Sequence, residues 1–265
     1  MLSVGEQHAS RAVAPAAAPA AAGATRVVLL RPPLLVTFAV LAFAALLLIA
    51  GPPGQARIEP DAGVSSREIT LDFTNFFAGT PLAGAGWAAC GEPITWSVDV
   101  RALPRAERRP EVRKLRTAVN QWAAQSRLPL AFAGREALRY DPATHQLLPS
   151  NGSPVRDRHI YVGLLREGVS PLLTGSVVGL AMPSRVEVSS LQVLNGTVIL
   201  RRSFVREVST ALPEILSGLH LHEFGHAFAL GHARFPLNVM FPTIGAHTQL
   251  GPGDANGARA YVRPC

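Results

Sequence analysis

Four of the chain's eight histidines fall, together with a glutamate, in the stretch HLHEFGHAFALGH at residues 220–232. On an α-helix, residues four apart share a face, so His222 and His226 can present two imidazole nitrogens to one point while Glu223 is turned by about 100°. This is the HExxH arrangement, in which a zinc ion takes two nitrogen ligands and a carboxylate stands beside its open position as a base toward water. Zinc lowers the pKa of that water to about 7, so hydroxide is available at neutral pH. Two imidazoles do not complete the site. His232 lies six residues past His226 and would face away on a continuing helix, so the helix must stop for it to return as a third ligand. Gly231 and the following ARFP supply the stop signal. A histidine-bearing helix that merely packs would have to accommodate Glu223 inside an apolar run. His220 falls outside the pattern and reads as a surface residue or a support to a ligand, and His145, His159 and His247 are isolated.

The elements around this helix give an α+β order. PITWSVDV alternates sides like a strand, and RPEVRKLRTAVNQWAAQS opens with a proline suited to a first helical turn and repeats Val112, Leu115, Val119 and Trp122 at helical spacing. LPLAFAG, RHIYVGLL, GSVVGLAMP and GTVILRRSF read as further strands. The motif helix is introduced by STALPE, with Ser209 or Thr210 available as cap, and GDANGARAYV places Asp254 as the N-cap of a short last helix.

Outside this domain the texture differs. Residues 1–32 carry Ala/Pro-rich sequence without the material of a core and are expected to form a disordered cytoplasmic tail. Pro33 to Gly51 has no charge and is about long enough to span a bilayer, as a signal-anchor or, alternatively, a cleaved signal sequence. Arg11, Arg26 and Arg31 precede it and favour a cytoplasmic N-terminus with the rest exported. Residues 52–89 read as a Gly/Pro/Ala-rich stalk with one apolar cluster, ITLDFTNFF, that partly docks, and the domain covers 90–265. Cys90 and Cys265 both lie on the exported side, where one disulfide is compatible with an oxidising compartment.

A net charge of +7 raises the question of nucleic acid. The basic residues are dispersed, though, and their clusters lack aromatic interleaving, so they read as a solvated surface with no nucleic-acid partner.

The residues quoted for the site resemble the metzincin metallopeptidases, and in particular the matrixin catalytic domain, in a bacterial membrane-anchored form. His222, Glu223, His226 and His232 match HExxHxxGxxH, and NVMFP places Met240 where matrixins carry a methionine turn. GPGDANGARAYV is similar to the matrixin C-terminal helix, and PITWSVDV and VRKLRTAVNQWAAQSRLPLAF resemble its first strand and helix. The resemblance implies a zincin-like fold: a five-stranded twisted mixed sheet, two long helices, a Met-turn and a short C-terminal helix. It implies one catalytic Zn2+ on His222, His226 and His232, Glu223 as general base and Met240 as a floor beneath the metal. An extended peptide would pair with the edge strand around Val177, Val178, Gly179 and Leu180, and Phe241, Pro242 and Thr243 would line the pocket for the residue after the scissile bond.

Three departures matter. Ala229 stands where the family has glycine; a left-handed conformation there would cost alanine about 1–2 kcal/mol, or the turn would shift toward Gly231. Clustered Asp and His for a second metal are scarce in residues 141–200, and no full propeptide is expected before the domain. CGEP at Cys90 echoes the family's cysteine switch, but its tether to the first strand is short; since the chain before that strand lies near the C-terminal helix in matrixins, a Cys90–Cys265 disulfide is the favoured reading. The expectation is a monomeric zinc endopeptidase, membrane-held and outward-facing, acting on extracytoplasmic proteins or peptides through zinc-activated water. The alternative is a catalytically weak or inactive matrixin-like surface binding module.

Overall fold

The computed structural model describes residues 64–265. The expected tail, the Pro33–Gly51 span and the first part of the stalk lie outside the described residues. Among those described, no helix is long and apolar enough to cross a membrane.

The elements run α1 (Ser66–Thr70), β1 (Ile94–Asp99), α2 (Arg105–Ser126), β2 (Leu130–Arg135), β3 (Leu138–Asp141), β4 (Gln146–Pro149), β5 (His159–Leu165), β6 (Gly179–Glu187), β7 (Gln192–Arg201), α3 (Arg202–Ala211), α4 (Pro213–Ala227) and α5 (Pro252–Ala260). Five strands form one sheet in the order β2-β1-β5-β7-β6. All its pairings are parallel except the last, where β6 runs antiparallel to β7 along one edge. This α+β arrangement, with a mixed five-stranded sheet and α2 and α4 as its long helices, is consistent with a zincin-like fold.

Strand alternation builds a core on each face. Ile160, Val162, Val198 and Leu200 pack with Leu115, Val119, Trp122, Leu219 and Phe224 of α2 and α4. Their neighbours Tyr161 and Ile199 point the other way and pack with Leu138 and Leu147 of the β3–β4 hairpin.

Several local expectations are corrected. α2 begins at Arg105, so Pro110 sits inside the helix and not in its first turn. GTVILRRSF is strand only to Arg201, because Val205 and Val208 are buried at helical spacing and the chain turns into α3. Ser209 and Thr210 therefore lie within α3 and do not cap α4, which starts at Pro213 after Leu212. Asp254 is not the N-cap of α5; Gly251 is, and the Asp254 carboxylate reaches back to accept from its N–H at 2.7 Å.

The described part of the stalk packs closely on the domain. α1 is closed by a reciprocal Ser65–Glu68 capping box, and Phe77, Ala85 and Trp87 are buried. Ala88 bridges to Arg263, which brings Cys90 and Cys265 together in a disulfide with a Cα–Cα separation of 5.0 Å. A thiol bonded in this way is not available as a switch.

Candidate metal centre

α4 is the central element of the site. From Gly218 through Ala227 every residue is buried, so this part of the helix has no solvent face and its polar residues must be satisfied internally. Two tryptophans tie its backbone down: the Trp122 indole donates to the Leu221 carbonyl at 2.9 Å and the Trp87 indole to the Ala227 carbonyl at 2.8 Å. His220 is 1% exposed and not a surface residue; it faces the buried Glu111 carboxylate of α2 at 2.8 Å.

The helix stops as the third imidazole requires. Ala227 is its last residue, and two residues later Ala229 takes φ +68° while fully buried. The left-handed turn thus falls at Ala229 itself and has not shifted to Gly231, at a conformational cost of about 1–2 kcal/mol. Gly231 serves a different need: a Cβ there would press on Thr74 Oγ1 and the Asn75 backbone.

His222, His226 and His232 are brought together, with one nitrogen from each lying within 4.8 Å of the others. His222 Nδ1 lies 2.8 Å from the Val239 carbonyl and His226 Nδ1 2.9 Å from the Leu230 carbonyl. A carbonyl only accepts, so both Nδ1 atoms carry the proton in the neutral ring and both Nε2 atoms are left with bare lone pairs. Those Nε2 atoms stand 3.1 Å apart. Two acceptors facing each other at that distance repel unless something positive lies between them. Protonation is opposed: burial first, then the neighbouring histidines, push His222 down to about 3 and His226 well below its ordinary value, and burial pushes His232 to about 4. His232 Nε2 is itself buried without a hydrogen-bond partner. Three neutral imidazoles that lack a proton to share fit a divalent metal ion, and an all-imidazole set of three is a donor set typical of catalytic zinc.

The Val239 carbonyl that meets His222 belongs to the turn at Met240, which is 1% exposed. Gly225 makes room for it, since a Cβ there would collide with the Met240 sulfur and crowd the Trp122 ring. The turn is held from α5, where the Asp254 carboxylate accepts from Val239 N at 2.6 Å and Met240 N at 3.1 Å. The Val239 carbonyl that meets His222 and the Met240 N–H that Asp254 accepts from belong to one peptide unit, so Asp254 acts on His222 through it.

Glu223 is 2% exposed, and burial raises its carboxyl to about 8. It lies directly against Gly179 of β6, where no Cβ would fit. Val178 and Gly179 are buried, and Val177 and Leu180 half-buried. β6 has β7 on one side only. Phe241 and Pro242 are half-buried and Thr243 exposed in the loop after Met240, and that loop returns to α4, with the Gly245 carbonyl against Gly218.

Sequence reasoning missed the residues of the former stalk that grip this site. Asp72, 3% exposed, accepts from the backbone N–H groups of Arg234 and Phe235 and from Asn238 Nδ2. Thr74 and Asn75 bond the loop between Ala229 and His232. The available signal was the placement of short polar residues among apolar ones in LDFTNFF.

No family model matches the chain, and none of the curated proteins matches it. Among solved structures it is similar to a zinc-dependent peptidase from Methanocorpusculum labreanum (strain Z), with 18% identity over 63% of this chain and 94% of the other and a TM-score of 0.30.

Proposed function

We propose that the chain is a zinc-dependent endopeptidase in which His222, His226 and His232 hold the metal and Glu223 is the general base. The observation that carries this reading is the face-to-face pair of His222 and His226 Nε2 atoms, 3.1 Å apart, with His232 Nε2 orphaned beside them. When bound, a zinc ion would supply Lewis acidity toward a peptide carbonyl and toward water, whose pKa it lowers to about 7, and its charge would draw Glu223 toward the carboxylate. Glu223 would accept a proton on its carboxylate from the attacking water and deliver it to the leaving amine. The unpaired side of β6 would take an extended peptide by strand addition and bring its backbone past Glu223, with Phe241, Pro242 and Thr243 beyond the scissile bond. The disulfide favours an oxidising compartment. With the uncharged Pro33–Gly51 segment, it supports a domain carried on the outer side of a membrane and acting on extracytoplasmic proteins.

The test is zinc content together with digestion of an unfolded, alkylated protein, with and without a chelator. One zinc per chain, chelator-sensitive cleavage, and a Glu223→Ala variant that keeps zinc and loses cleavage are expected. Wild-type cleavage by Glu223→Ala would overturn the assignment of the base. Stoichiometric zinc without turnover would instead leave the binding-module reading.

A further inference from the structure

We infer that Thr74 and Asn75 are positioning residues for the metal centre, bracing the loop that returns His232 to the other two imidazoles. This rests on the metal reading of those imidazoles. The loop begins at Ala229, whose left-handed backbone an alanine does not adopt unaided; such a conformation persists where the surroundings over-determine it. Here the surroundings are residues 74–76. The Ala229 carbonyl accepts from Phe76 N at 2.8 Å and from Asn75 Nδ2 at 3.2 Å. Gly231 N donates to the Thr74 carbonyl, and Thr74 Oγ1 donates to the His232 carbonyl, both at 2.9 Å. Asn75 is itself fixed: its Oδ1 accepts from Phe77 N and Gly84 N, and its Nδ2 also donates to the Ala85 carbonyl. The braced loop carries His232 and also the Leu230 carbonyl that orients His226, so the segment acts on two of the three imidazoles.

The experiment measures zinc affinity of the full chain by competition with a calibrated chelator. Asn75→Ala is expected to weaken zinc about 10- to 100-fold, the range for groups that orient ligands. Adding Ala229→Gly should restore affinity to within about threefold, because glycine takes the left-handed conformation without the brace. Thr74→Val removes one hydroxyl at nearly constant shape; should Asn75→Ala fail to fold, the Thr74→Val change carries the test, with a several-fold loss expected. Unchanged affinity in both variants, or a loss that Ala229→Gly does not repair, would overturn the brace. Failure of the wild type to bind zinc would instead sink the metal reading.

A separate observation concerns the sheet edge away from β6. Arg109, Arg113 and Arg116, on one face of α2, and Arg135 of β2 line a groove of about 320 Å3 floored by Val112 and Phe132. Arg116 lies over the Phe132 ring at 4.1 Å. Nearby acids are engaged elsewhere: Glu107 with Arg206, Glu111 with His220 and Glu136 with Arg156. Among the described residues, none of the four guanidinium groups has an acidic partner. Four arginine side chains gathered around one groove, none of them paired with an acid, match tetrahedral oxoanions, and we propose that the groove binds a compact polyanion of the phosphate or sulfate type.

Calorimetry of the full chain with inorganic tripolyphosphate tests this, with phosphatidylglycerol vesicles as the arm that detects a lipid headgroup. Saturable binding in either arm is expected, with at least a tenfold loss in Arg109→Ala/Arg113→Ala/Arg135→Ala. Arg67→Ala/Arg139→Ala/Arg166→Ala should change it less than twofold. No saturable binding in either arm, equal losses in both triple variants, or tighter binding of an acidic peptide would overturn the proposal.

Discussion

Gly179 of β6 and Glu223 of α4 touch without space for a single additional carbon between them. Gly179→Ala would set a Cβ against Glu223 Oε1, so the carboxylate must shift from its position. We expect this variant to retain zinc and to lose about 100-fold in kcat/KM, the scale of a displacement of about 1 Å at a reacting group. Zinc stoichiometry and peptide kinetics on the same sample check it.

Asp254 gives a prediction about stability. Asp254→Ala would leave the buried Val239 and Met240 N–H groups without acceptors, at a cost of at least about 2 kcal/mol. Because Val239 also orients His222, zinc should dissociate faster as well. Denaturant titration and chelator-chase kinetics read the two effects.

A pH dependence follows from His159. It is fully buried between Thr95 at Nδ1 and Ser97 and Arg156 at Nε2, lies tilted against the Tyr161 ring, and has Glu136 beyond Ser97. Burial, and then the Arg156 charge, lower it to about 3 from an ordinary 6.5. The unfolded chain therefore takes up a proton below pH 6.5 that the folded chain refuses until about 3. Stability is fully present above 6.5 and falls with acidification through that window, at up to about 1.4 kcal/mol per pH unit for this group. Urea midpoints of wild type and His159→Gln at pH 7, 5.5 and 4.5 should converge as pH falls, because the variant lacks this proton uptake; parallel lines would remove His159 from the account.

Cys265→Ser removes a crosslink between residues 175 apart, nominally worth about 4–5 kcal/mol in the constrained-loop account. Its melting temperature should match that of the reduced wild type and lie well below that of the oxidised protein.

The clustering of His222, His226 and His232 was legible because the first two share one helix face four residues apart and the third follows at short range. What was hidden depends on partners distant in sequence. Asp72, Thr74 and Asn75 act through bonds to backbone groups some 160 residues away, and no local period announces such bonds. Ser209 and Thr210 misled for the converse reason: their cap chemistry is local, and burial of Val205 and Val208 outweighs it by continuing a helix across them. Ala229 was readable as a departure, but its consequence depended on where the chain left the helix.

The free margin of β6 is short. Pro183 offers no N–H and the register breaks between Pro183 and Arg185, so regular pairing is available only along Gly179–Met182. An added strand could pair there over a few residues only, and the same margin is too brief and too irregular to template runaway sheet growth between molecules. The limit to sheet growth along this edge thus begins at Pro183.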